Sequence, residues 1–229
     1  MRTFLRQALG LLRWPLGVVT LFGLPSAVRV AKASLVPLFN EDQLVFWAGM
    51  ILVVGLWFWR WRHARWGRFI TTIEHESLHA LVGMLTLIPV REMKVREDGS
   101  GHVLFEPPGH WLLYLAPYFI PLLLLIEIAL IRLIQWPATI ETFVFGAVMG
   151  LSILGHLRQI HPRQTDFKQA GVAFTVAFLP TAFLLCYTSV LHVLLGDHPE
   201  QLLTVLTQWL ELTWKDVGWA WNQITSIRT

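Results

Sequence analysis

Six stretches of about twenty predominantly apolar residues run through this chain, and nothing else constrains its fold as strongly. They lie at about 8–28, 43–59, 69–90, 111–134, 139–158 and 168–195. About twenty apolar residues in a helix cross the hydrocarbon core of a bilayer. Inside lipid every backbone N–H and C=O must pair internally, which leaves helices as the natural solution for such segments. The composition agrees. Only 14% of the 229 residues are charged, against roughly 25% in an average soluble domain. The expected fold class is an all-α polytopic membrane protein with about six transmembrane helices.

The flanks of these segments fit the same setting. Residues 60–68, RWRHARWGR, hold four arginines and two tryptophans, the composition of a headgroup-level belt. Under the positive-inside rule this cluster favours the cytosolic side. The net charge of +3 is modest, and the basic residues cluster beside apolar runs, so no nucleic-acid partner is expected. The single cysteine, Cys186, excludes an internal disulfide and a cysteine-based zinc cluster. Arg2 and Arg6 precede apolar residues as in a signal peptide, but Arg13, Pro15 and Arg29 interrupt that pattern. A retained membrane element is expected there.

Two segments break the apolar rhythm. Residues 91–109 alternate around Asp98-Gly99-Ser100-Gly101 and read as a small β-hairpin. Residues 197–229 space Leu and Trp at helical intervals against polar residues, and read as an amphipathic tail on the membrane or packed on the bundle. The expected organisation is one membrane domain, 1–196, followed by that tail.

Within the third apolar stretch stands TIEHESLHAL, residues 72–81. An ionisable group at mid-bilayer costs at least about 2.5–3.5 kcal/mol on insertion scales, yet Glu74, His75, Glu76 and His79 fall within six positions. His75-Glu76-Ser77-Leu78-His79 fits H-E-x-x-H. Positions i and i+4 share a helix face, so both imidazoles can reach one metal ion. Zinc takes neutral imidazole nitrogens at about 2.0–2.1 Å. Glu76, one residue on, is placed as general base toward an attacking water. The competing interpretation is a buried polar network, or a water-filled cavity without metal. Glu74 lies outside the motif and suits either a supporting role behind a ligand or a polar cavity.

A membrane helix carrying TIEHESLHALVG, then a hairpin, then a helix beginning LAPYFIP, resembles the site-2 protease-like family of intramembrane zinc metalloproteases. The resemblance spans roughly residues 68–185. It implies a Zn2+ cofactor, with His75 and His79 as ligands and Glu76 as the catalytic base. It also implies a third ligand, an aspartate from a later helix. The family's N-x-x-P-x-x-x-x-D-G-like stretch is absent here, and divergent members place the aspartate in a polar break between helices. HPRQTDF, residues 161–167, is such a break, so Asp166 is the expected third ligand. Asp166 equally suits an N-cap, because an apolar helix follows it. His156, His161 and Glu141 are the alternatives. At 1.5 Å rise per residue, His79 lies about 16 Å from either end of its helix. Asp166 as a ligand therefore requires a deeply set break.

The hairpin, with Val103, Leu104 and Phe105 on its more apolar strand, is expected either to pair with an unwound substrate backbone or simply to connect two helices. His102 is expected at the surface. Pro117 and Pro121 should bend the fourth helix. The hydroxyls of Tyr114 and Tyr118 suit donation to a tetrahedral intermediate, or an ordinary membrane interface. The expectation as a whole is an intramembrane zinc metallopeptidase of the H-E-x-x-H type. Its partners are the lipid bilayer and a membrane-spanning or membrane-adjacent protein substrate, and its setting is the inner or cell membrane of a bacterium. The alternative is a catalytically inactive membrane scaffold or chaperone that retains the metal-site helix. A zinc peptidase with a glutamate ligand from a downstream E-x-x-x-D helix lacks that motif here. A di-iron oxidase would need H-x-x-H-H pairs that are absent.

Overall fold

The computed structural model describes residues 2–106, 109–134, 136–161, 163–195 and 201–226. The expected domain boundary at 196–197, the last residues of the tail, the end of the hairpin segment at 107–108 and Pro162 of the polar break lie outside the described residues.

The fold is mostly helical with one two-stranded sheet. The helices are α1 (Arg2–Leu35), α2 (Leu44–Leu56), α3 (Arg65–Leu85), α4 (Trp111–Leu115), α5 (Leu122–Leu133), α6 (Ala138–Gln159), α7 (Thr165–Ala170), α8 (Val172–Leu195) and α9 (Gln201–Ser226). The strands are β1 (Val90–Val95) and β2 (Gly101–Phe105). Four of the described helical segments are long and apolar enough to cross a membrane, namely those built on α1, α2, α6 and α8. The pair α4 and α5 makes a fifth if its two halves are one broken span. Large apolar side chains such as Leu11, Phe22, Ile51, Ile140 and Val176 point outward from these helices, as lipid-facing residues do. Helix α3 has 21 residues but carries Arg65, Arg68, Glu74 and Glu76, so it is held by protein contacts more than by lipid.

Local sequence explains the breaks. Pro117 and Pro121 interrupt the fourth apolar stretch. A 3-10 turn at Ala116–Tyr118 ends α4, and α5 leaves at 72° to it. Pro15 and Pro25 lie inside α1, which nevertheless continues for 34 residues and is longer than the 8–28 expected. Its inner face is pinned to α8, where Thr20 Oγ1 donates to the Ala177 carbonyl (3.1 Å) and Thr181 Oγ1 to that of Thr20 (2.7 Å). Helix α3 ends in a Schellman arrangement. Ile88 N donates to the Gly83 carbonyl and Leu87 N to that of Met84, with Leu87 at φ 61 where glycine is usual.

Three packing groups follow. Helices α2 and α6 lie backbone to backbone at Gly49 and Gly146. Helix α1 packs on α8, and α9 lies against both. There Val205 and Trp209 are buried with Ala27 and Val30, and Trp209 Nε1 donates to the Gly23 carbonyl (2.8 Å). Asp216 of α9 pairs with Arg29 and accepts from Ser26. Helix α3 packs against the hairpin and the broken α4/α5 segment.

The hairpin forms where the sequence places it. It is antiparallel, with Val95 opposite Gly101 and Met93 opposite Val103, and an irregularity between Val90 and Glu92. Gly99 closes the turn at φ +85, a conformation that L side chains avoid. Arg68 Nε donates to the Asp98 carbonyl (3.1 Å) and Thr72 Oγ1 to that of Gly99 (2.8 Å), so the tip is tied to α3.

Candidate metal centre

His75, Glu76 and His79 are all buried, at 9%, 7% and 5% exposure. Helical spacing puts the two imidazoles on one face, with ring centroids 4.8 Å apart. Asp166 comes to the same point from α7. Its Oδ2 stands 3.6 Å from His75 Nε2 and 3.4 Å from His79 Nε2. One donor atom from each of the three lies within 4.8 Å of the others. The break after α6 is deeply set, as a role for Asp166 requires. Short α7 buries Phe167 and Ala170 and packs against α4 and α8.

The donor set fits zinc. Four ligands at about 2.0–2.1 Å in a tetrahedron are separated by about 3.3–3.4 Å, close to the two imidazole–carboxylate distances. His79 Nδ1 is occupied by the Leu113 carbonyl at 2.8 Å, which leaves Nε2 as the free ring nitrogen facing Asp166. The carboxylate is suitably anionic. Burial works to raise the Asp166 carboxyl, but His75, His79 and the Tyr118 hydroxyl outweigh it and hold it well below the usual carboxylate range.

The broken α4/α5 segment supports this cluster at three points. Leu113 supplies the carbonyl to His79. Tyr118 is fully buried and its hydroxyl donates to Asp166 Oδ2 at 2.8 Å. At the start of α5, Leu123 N donates to Glu74 Oε1 at 3.2 Å. Glu74 therefore caps the second half of the broken segment from the motif helix. Tyr118 is already engaged with Asp166, so of the two tyrosines only Tyr114 lines the open space beside the cluster. Tyr118→Phe removes the hydrogen bond that orients Asp166. Partners of this kind are worth about 10–100-fold in metal affinity, so zinc competition against a chelator should show a weakening of that size. An unchanged affinity would contradict this role for Tyr118.

Among the described residues, the other sequence candidates add no ligand atom to the cluster. His156 is buried on α6, where Nδ1 pairs with the Ser152 carbonyl and the Tyr187 hydroxyl, both at 2.8 Å. His161 is exposed and accepts from Arg163 N. Glu141 sits in the first turn of α6, near Glu127. His102 is exposed, on the strand beside the site.

Two cavities open from the cluster. One, of about 360 Å³, runs along β2 past His75, Glu76, His79 and Asp166. The other, of about 300 Å³, opens on the α6 side and shares His75, Glu76, Gly101 and Gln164 with the first. At Gly101 the strand backbone comes closest to the acid, since a Cβ there would lie 2.9 Å from Glu76 Cγ and 2.7 Å from Thr72 Cγ2. The sequence reading missed Leu113, the role of Tyr118 and the close approach at Gly101. Only Gly101 left a trace, as a second glycine just past the turn.

The chain thus sets apolar segments long enough to cross a membrane around a buried His–His–Asp cluster, with a glutamate and a short strand beside it. The chain belongs to the Peptidase M50B-like family, whose model matches residues 47–196, well over half of the 229. The match takes in the motif, the hairpin and Asp166, and leaves α1 and α9 outside. No curated protein and no solved structure matches the chain.

Proposed function

We propose that this protein is an intramembrane zinc metallopeptidase of a bacterial inner or cell membrane, acting on membrane-spanning or membrane-adjacent segments of other proteins. The observation that carries the reading is the meeting of His75, His79 and Asp166 beside Glu76. Asp166 lies 87 positions beyond His79, and a purely structural polar network gives no reason for that particular donor set. Zinc held by these three side chains would polarise a peptide carbonyl and bring the pKa of an attacking water near 7.

The chain's own residues do the rest. Glu76 takes the proton from the attacking water and returns it to the leaving amine, so the carboxylate ends each turnover as it began. The outer edge of β2, Gly101–Phe105, lines the larger cavity and offers backbone groups to an extended substrate. A substrate helix must unwind to present a peptide bond, and pairing with a strand replaces the hydrogen bonds it gives up. Tyr114 lines the same cavity and suits donation to the developing oxyanion. The basic segment at 60–68 favours a cytosolic location for the loop that enters α3.

The test is cleavage of an epitope-tagged single-span reporter by detergent-purified protein, with zinc and then with a chelator. Zinc-dependent cleavage that the chelator stops and added zinc restores is the expected result. A protein that holds zinc at these residues but cleaves no reporter would instead be the non-catalytic scaffold or chaperone.

A further inference from the structure

The smaller cavity is chemically unlike the first. It runs from His75 and Glu76 to the last turn of α6, past Thr72, Gln159, Gln164, His161 and Arg158. Among the described residues lining it, Glu76 is the only acid. Arg158 has no acidic partner among the described residues; its guanidinium lies over the Trp57 ring, 5.7 Å from the centroid. Arg68, at the entry to α3, donates to the backbone carbonyls of Asp98 and His63. A guanidinium that stacks on one face keeps its in-plane N–H fork for a planar anion, and carboxylate matches that fork. Gln159 is fixed by donation to the Thr71 carbonyl (2.8 Å), and Gln164 in turn donates to the Gln159 carbonyl (2.9 Å), so the polar wall is built rather than loose.

We propose that this cavity is a carboxylate subsite of the peptidase, with Arg158 as its binding residue. It takes either the new C-terminal carboxylate that hydrolysis creates or an acidic side chain next to the cleaved bond. The proposal rests on the peptidase reading for its biological meaning. A lone arginine at a helix end can also reach a lipid phosphate, but this one shares a chamber with Glu76 and His75, which puts it within the reach of a peptide held at the cluster.

The experiment measures binding, not turnover. A fluorescein-labelled hexapeptide, Ala-Val-Leu-Phe-Ala-Gly, is titrated as the free acid and as the C-terminal amide. A third form is the amide with Glu replacing the second Ala. The protein is the full chain carrying Glu76→Gln, in detergent, with and without zinc, read by fluorescence polarisation. A charge-assisted hydrogen-bond pair predicts that the form carrying the recognised carboxylate, free acid or Glu-containing amide, binds about tenfold more tightly than the plain amide. That gap should vanish in Arg158→Ala and persist in reduced form in Arg158→Lys, with or without zinc. Tighter binding of the Glu-containing amide identifies a side chain as the source, and its absence identifies the terminus. Equal binding of all three forms, no binding of any, or a gap untouched by Arg158→Ala overturns the proposal. A gap that depends on Arg158 in a protein that cleaves nothing would sustain the subsite and contradict only the peptidase reading.

Discussion

Glu76→Gln is expected to stop peptide cleavage while leaving the metal in place. The two side chains have the same shape, so the contact with Gly101 and the packing of α3 survive the change. What is lost is the ability to accept a proton. General acid–base groups contribute about 10²–10⁴ in rate, and among the described residues Glu76 is the only carboxylate that lines both cavities. Initial rates on a single-span reporter, with zinc measured in the same samples, should therefore fall by at least about a hundredfold at unchanged zinc content. Cleavage at the original rate would remove Glu76 from the mechanism. Loss of zinc along with cleavage would make it a structural residue of the site.

The second large effect concerns stability. A Cβ on Gly146 would land on the Phe46 carbonyl, and one on Gly49 would land on that of Phe143. Both obstacles are backbone, so no rotamer change relieves them. Helices α2 and α6 must move apart. Small residues at such crossings let membrane helices pack by close van der Waals contact, and overpacking a fitted contact costs about 1–3 kcal/mol, occasionally more. Gly146→Leu should therefore lower the midpoint of thermal unfolding in detergent by several degrees, at about 2–4 °C per kcal/mol for a chain of this size. Gly55, on α2 but with nothing within 4 Å of its Cβ position, is the control. Gly55→Leu should change the midpoint little. Equal melting of the two variants would mean that the α2–α6 contact does not hold the bundle.

Much of this was legible because it is local. The i, i+4 spacing of His75 and His79 is a property of one helix, and the turn at Asp98-Gly99 is a property of four residues. The bend of the fourth apolar stretch follows from Pro117 and Pro121 for the same reason. Asp166 was harder. Its polar break could be read, but the depth of α7 depends on Phe167 and Ala170 packing against α4 and α8. The grip of Leu113 on His79 and of Tyr118 on Asp166 joins residues 34 and 48 positions apart. No period in the sequence marks such a pair. Helix α1 outran its expected end because both prolines sit within a helix whose inner face is fixed to α8. The membrane expectation for α3 drew on hydropathy alone. The structure qualifies it, since buried polar residues there face protein on several sides.

Metal content of the purified wild-type protein, beside His79→Ala and Asp166→Ala, decides whether His75, His79 and Asp166 form a zinc site. One zinc per chain is expected in wild type, lost in both variants, with the variants still eluting as folded protein. A well-folded wild type that takes up no zinc when zinc is supplied would contradict it, and would make His75, His79 and Asp166 a buried polar network instead.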